Sequence, residues 1–167
     1  MPNATKPPIP ELAETLADAM PRLRPDEQQL ALAVYRQLAA GGAVPASALA
    51  DEFGGNEAEI ASTLERWPGV FRADDGRIVA FWGLAIPEMP HRFRVDGRQL
   101  HTWCAWDALF IPELIGMAAE VESRSPLSGE PVRLVVDPDQ IRDVVPEGTV
   151  VSMLSPTEAL DHRVIMS

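Results

Sequence analysis

Cys104 and Asp107 stand three residues apart in the segment Leu100-His101-Thr102-Trp103-Cys104-Ala105-Trp106-Asp107-Ala108-Leu109-Phe110. On a helix that spacing places both side chains on one face, within reach of a shared ligand. A thiolate binds or attacks a soft electrophile, and a neighbouring carboxylic acid delivers a proton to the leaving group. Trp103, Trp106 and Phe110 are expected to wall such a site and to keep water out. Desolvation then raises the pKa of Asp107, so that it holds a proton near neutrality. The same two residues also have a plainer reading. A lone cysteine often packs as a small hydrophobe, and an aspartate near a helix start often caps it.

The remaining polar candidates point to structure rather than chemistry. His91, His101 and His162 fall in different elements without metal-ligand spacing, and are expected at the surface or in hydrogen bonds. His101, three residues before Cys104, is placed to tune the thiol. Asp137-Pro138-Asp139 reads as a turn and helix cap, because the oxygen-rich spacing of a calcium loop is missing. Ser125 and Ser128 are expected to bond backbone in a turn. Met153 and Met166 fit core positions of strands. One cysteine makes neither an internal disulfide nor a multi-cysteine zinc site, yet it can still hold a soft metal.

The elements that must position this pair follow from periodicity. Residues 1–20 read as a proline-rich lead-in and a short helix over Glu11–Met20. Pro25 and Asp26 open a clearer helix with Leu30, Val34 and Leu38 on one face, Leu32 and Tyr35 beside it, and Gly41-Gly42 as its stop. A helix over Pro45–Phe53 should turn Leu49 and Phe53 inward. Asn56 is the expected cap of a third helix, with Glu59 in the reciprocal position and Ile60, Leu64 and Trp67 repeating along it. Val70–Arg72, Asp74-Asp75-Gly76 and Arg77–Trp82 read as a hairpin. Three helices and a hairpin over 21–84 outline a winged-helix-like unit. Ala85–Pro90 is the expected linker to a second unit at 91–167.

In that second unit His91–Val95 and Arg98–Trp103 form another hairpin. The stretch from Trp103 to about Met117 is helix-like, although Pro112 interrupts it. Ala118–Ser123 and Pro131–Val136 are expected strands, Asp137 to Val144 a short helix, and Thr149–Leu154 a strand on the strength of its β-branched start. A helix at Pro156–Leu160 and an extended run at Arg163–Met166 complete the pattern. The fold class is therefore α+β, with a small sheet beside a helix that carries Cys104 and Asp107.

Charge narrows the function. The 167 residues carry a net charge of −11, and Lys6 is the only lysine. An acidic surface repels phosphate backbones. The third helix holds Glu57, Glu59 and Glu65 against Arg66 alone, so it lacks the donors of a DNA reader. No apolar run approaches the roughly 20 residues that cross a bilayer, and the N-terminus lacks the basic start and greasy core of a secretory signal. A cytoplasmic protein with neither nucleic-acid nor membrane partners is the expectation.

The stretch from about Arg92 to Val164 resembles the alkylmercury lyases. The resemblance rests on RQLHTWCAWDALFIPELIG at 98–116, SGEPV at 128–132, VVSM at 150–153 and PTEALDHR at 156–163. It implies protonolysis of carbon–mercury bonds to give a hydrocarbon and Hg(II), with no cofactor. Cys104 matches the first cysteine of the family and would bind mercury transiently. Asp107 matches the aspartate that moves the proton. The released ion would pass to thiols or to a mercuric reductase. The position of the second family cysteine, carried forward without gaps, falls on Ser167, and a hydroxyl is a hard, weak ligand for mercury. A truncated copy or a divergent member with impaired activity is expected from that departure. A non-catalytic mercurial-binding or regulatory module of the same fold is the alternative.

Overall fold

A computed structural model describes residues 22–151. Helix α1 spans Pro25–Ala39, α2 Ala46–Phe53 and α3 Glu57–Arg66. Strands β1 (Val70–Arg72), β2 (Ile78–Phe81), β3 (Leu84–Ala85), β4 (His91–Val95) and β5 (Arg98–Thr102) come next. Helix α4 (Asp107–Ile115) precedes β6 (Ala119–Arg124), β7 (Pro131–Val136) and β8 (Ile141–Val145).

Local chemistry sets the helix ends. Pro25 supplies a fixed φ at the first turn of α1, and the Arg24 amide donates to Glu27 Oε2 at 3.0 Å. Asn56 caps α3 by accepting from the Ala58 amide at 2.8 Å. Glu59 gives no reciprocal side-chain bond there; its own amide instead donates to the Asn56 carbonyl at 3.1 Å. Leu30, Val34, Leu38 and Tyr35 are buried as the periodicity of α1 requires, and Leu49 and Leu64 are fully buried on α2 and α3. Phe53 departs from expectation. It lies at the last residue of α2, just before the left-handed Gly54, and is 44% exposed rather than inward.

The strands form one antiparallel sheet of eight, in the order β1-β2-β3-β5-β4-β6-β7-β8. This is larger than the small sheet expected. Ala85, expected in a linker, pairs with both Ala80 and His101, so hydrogen bonding runs unbroken from the first hairpin into the second. On one face Phe81, Leu84, Leu100, Phe93 and Val121 are buried in one cluster with residues of α1 and α4. Burying each such side chain contributes roughly 1.5–3 kcal/mol. The opposite face holds a row of directly paired residues: Phe71, Ala80, Ala85, His101, Arg92, Glu122 and Arg133. That row starts apolar and ends as an ion-paired ladder, with Arg133 Nε 3.3 Å and Arg92 Nη1 3.8 Å from Glu122.

Two further expectations fail on the C-terminal side. The segment from Asp137 to Val144 is not a helix. Asp137 closes a turn through its amide to the Gln140 carbonyl at 2.9 Å, and Ile141–Val145 returns as β8 along β7. The β-branched residues Ile141, Val144 and Val145 favour the extended form. Thr149–Val151 form no strand, because Thr149 is spent closing the preceding turn, its hydroxyl donating to the Pro146 carbonyl at 2.7 Å. The elements expected at Glu11–Met20, Pro156–Leu160 and Arg163–Met166, with the rest of the expected Thr149–Leu154 strand, lie outside the described residues. No helix among the described residues is long and apolar enough to cross a membrane.

Candidate active site

Cys104 does not sit on a helix. β5 ends at Thr102, and residues 103–106 form a turn before α4 begins at Asp107. The pair still meets, by a different route from i, i+3 spacing along one helix. Asp107 occupies the first turn of α4, where carboxylates suit the positive end of the helix dipole. Its Oδ2 reaches back to accept from the Cys104 amide at 2.9 Å. That bond holds the carboxylate beside the thiol, close enough for each group to shift the other's pKa. Thr102 secures the approach, its hydroxyl donating to the Cys104 carbonyl at 3.1 Å.

The electrostatics follow from burial without a counter-charge. Burial pushes the Cys104 thiol up to about 12, and the negative charge of Asp107 pushes the same way. Burial also holds Asp107 above the ordinary carboxylate range, partly offset by Cys104. No cation contributes to either shift. At neutral pH the thiol is protonated beside a carboxylate of raised basicity, an arrangement in which the carboxylate can take the thiol proton when a soft metal displaces it.

The carboxylate rests on backbone. At Gly83, φ is +96°, and a Cβ built there would lie 2.4 Å from Asp107 Cγ and 2.6 Å from Oδ1. Only glycine permits that approach in that conformation. Trp82 before it also has positive φ, +31°. Its carbonyl accepts from Tyr35 Oη at 2.7 Å, its indole donates to the Pro68 carbonyl, and the Gly83 carbonyl accepts from the Trp103 amide at 3.0 Å. Tyr35 lies close enough for the Asp107 charge to add to burial in raising the pKa of its hydroxyl. Sequence reasoning placed Tyr35 and Trp82 only as parts of a helix and a strand, and missed Gly83. The available signal was a glycine between two short strands, which marks close backbone approach.

The aromatic residues expected to wall the site separate. Trp103 is buried against Ala80 and Ala85, edge-on to Phe71 at 5.2 Å, and its Nε1 has no hydrogen-bond partner among the described residues. Trp106 is 39% exposed at the start of α4, and Phe110 packs on the main core. His91 Nδ1 is 2.7 Å from Ser123 Oγ. His101 is buried, and its Nδ1 has no hydrogen-bond partner among the described residues. Ser125 Oγ accepts from the Ser128 amide at 3.2 Å, as a turn residue should. Asp137 pairs with Arg142 at 2.7 Å. His162, Met153, Met166 and Ser167 lie outside the described residues.

Comparison with known proteins places this geometry in a family. The family model described as alkylmercury lyase matches residues 84–166, which include Gly83's neighbour Leu84, Cys104 and Asp107. An alkylmercury lyase of Pseudomonas putida is 39% identical over 92% of this chain and 71% of its own length. One of Staphylococcus epidermidis is 41% identical over 78% of this chain and 60% of its own length, and one of Bacillus cereus 40% identical over 78% and 59%. This chain thus spans roughly six to seven tenths of those relatives. A crystal structure of the mercury-bound form of MerB2 shares the fold, with a TM-score of 0.67 at 23% identity over 83% of this chain and 68% of that one. On these relationships, and with the thiol–carboxylate pair inside the matched region, the chain belongs to the alkylmercury lyase family.

Proposed function

We propose that this chain cleaves organomercurials by protonolysis, with Cys104 as the sulfur that holds mercury and Asp107 as the group that moves the proton. The observation that carries this reading is the buried carboxylate that accepts from the Cys104 amide at 2.9 Å and so lies beside its thiol. In the first step sulfur bonds to the mercury of R–Hg–X, X⁻ leaves, and the thiol proton passes to the Asp107 carboxylate. In the second, that proton moves to the carbon, which takes it up with the electron pair of the breaking C–Hg bond. R–H departs, Hg(II) stays on sulfur, and the carboxylate is restored. Soft sulfur suits mercury, which displaces the thiol proton despite a high pKa.

Mercury(II) left on one sulfur needs a second ligand. With Ser167 at the expected position of the second family cysteine, a small external thiol fills that role and carries the ion away, to cellular thiols or a mercuric reductase in the cytoplasm. Of the three aromatics expected around the organic group, Trp106, half-exposed beside Asp107 at the start of α4, is the one left open to border it. Within the described residues, α1 supports the site by packing on α4 and on the sheet that carries Gly83. The relatives, all named as lyases, give no support to a non-catalytic binding module.

The test is benzene release from phenylmercury in excess small thiol. The parent chain should turn over, and Cys104→Ser should release none. Benzene formed by that variant at the parent rate would remove Cys104 from the mechanism.

A further inference from the structure

The region beneath Asp107 is tied to a distant helix through one hydroxyl. Tyr35 lies on α1, 47 residues before Trp82. Its Oη–H donates to the Trp82 carbonyl at 2.7 Å and so fixes the peptide plane that joins Trp82 to Gly83. The next peptide, which joins Gly83 to Leu84, is anchored as well, since the Gly83 carbonyl accepts from the amide of Trp103, the residue before Cys104. Between these two anchors the Gly83 backbone presses against the Asp107 carboxyl, leaving no room for a Cβ. Both Trp82 and Gly83 hold positive φ, a conformation that persists in a non-glycine residue only when its surroundings impose it.

We infer that Tyr35 is a positioning residue: its hydroxyl holds the Trp82–Gly83 turn as a floor that aims the Asp107 carboxylate at Cys104. The hydroxyl touches neither substrate nor sulfur and acts through the backbone. Without it the Trp82 carbonyl loses its partner, the turn is free to relax, and water gains access to the carboxylate from below. The carboxylate then sits less well for proton transfer, and the thiol is less strongly held in its protonated form. Burial of Tyr35 suits this task, because a neutral hydroxyl donates while an ionised one cannot. The inference rests on the lyase reading for its catalytic consequence, but its structural consequence is read without turnover.

The test uses Tyr35→Phe, which removes one oxygen and keeps the ring that packs 5.0 Å from Phe81. Cys104 is the only cysteine, so alkylation by iodoacetamide reports on one sulfur. At a fixed pH the variant should alkylate roughly tenfold faster than the parent, as thiolate becomes more available. With phenylmercury, kcat should fall on the order of tenfold with KM unchanged, the signature of a misplaced group that acts in the transition state. Val34→Ala loosens the same helix without touching the hydroxyl, and should leave the alkylation rate at the parent value. Parent-like alkylation and kcat in Tyr35→Phe, or an equal acceleration in Val34→Ala, would overturn the inference. A parent chain that releases no benzene would overturn the lyase reading instead, and the alkylation comparison would still decide the role of Tyr35.

Discussion

Two aspartates, each at a turn beside a secondary-structure element, meet opposite fates in this molecule. Asp137 joins β7 to β8 and receives the Arg142 guanidinium at 2.7 Å, which holds its carboxyl below the ordinary range. Asp107 opens α4, receives the Cys104 amide, and is held above that range by burial. Each accepts hydrogen bonds. What differs is depth of burial and the cation: Asp137 is the shallower and lies beside a guanidinium, and Asp107 is the more deeply buried, with no cation acting on it among the described residues. A carboxylate with a guanidinium beside it gives up its basicity. One that is desolvated beside neutral donors gains basicity, which suits a group that takes and returns a proton.

Asp107→Asn should break the comparison most strongly. An amide oxygen can still accept from the Cys104 amide, so the turn survives, but the acid is gone. Benzene release from phenylmercury should fall by roughly 10²–10⁴-fold, the usual range for a lost general acid. Retention of the bound mercurial, read by mass spectrometry of the intact protein, should persist because sulfur still holds the metal. Equal loss of retention and turnover would mean that Asp107 serves the fold rather than the chemistry.

Gly83→Ala should act next most strongly, without touching either functional side chain. The added carbon would lie 2.4 Å from Asp107 Cγ, on a backbone at φ +96°. Either the carboxyl or the turn must move. Strain of this kind costs on the order of 1–3 kcal/mol, and a displacement near 1 Å costs up to about a hundredfold in rate. Urea unfolding and steady-state turnover would read both effects. Parent-like turnover would show that Asp107 tolerates a shifted floor.

How much of this was legible in the sequence depends on the range of the interaction involved. The α1 face, the Asn56 cap and the two hairpins expected at 70–82 and 91–103 rest on local periodicity and turn chemistry, and they form, the second ending one residue earlier at Thr102. The pairing of Cys104 with Asp107 was also legible, although for the wrong geometric reason. The spacing suggested one helix face, whereas a turn followed by a helix start brings the groups together through the backbone amide. The second helix expected after Asp137 failed because cross-strand pairing with β7 outweighed a local cap signal. Long-range partners were invisible. Nothing in the letters around Tyr35 says that its hydroxyl meets Trp82, and nothing at Gly83 names the carboxyl against it. These depend on how α1 and α4 lie on one sheet, which local pattern does not specify.

The smallest expected effect lies in how stability follows pH, and it takes opposite signs at the two aspartates. For Asp107 the folded-state pKa is raised, so the folded chain binds the proton more tightly than the unfolded one. Stability from this group is therefore greatest at low pH and falls as pH rises from the ordinary carboxyl range, near 4, through the higher folded value. Asp107→Asn cannot ionise, so that fall should vanish and the variant should be the more stable of the two at neutral pH while being nearly inactive. For Asp137 the folded pKa is lowered. Its contribution is present above the ordinary carboxyl pKa and is lost as pH drops through the folded value. Asp137→Asn should shift the thermal midpoint at neutral pH by no more than about 2 °C, as expected for a solvent-screened pair with Arg142, and its small effect should shrink further in high salt. Urea midpoints across a pH series distinguish the two. Parent-minus-variant differences that change with pH in the same direction for both substitutions would mean that the contrast between a desolvated and a paired carboxylate has been drawn wrongly.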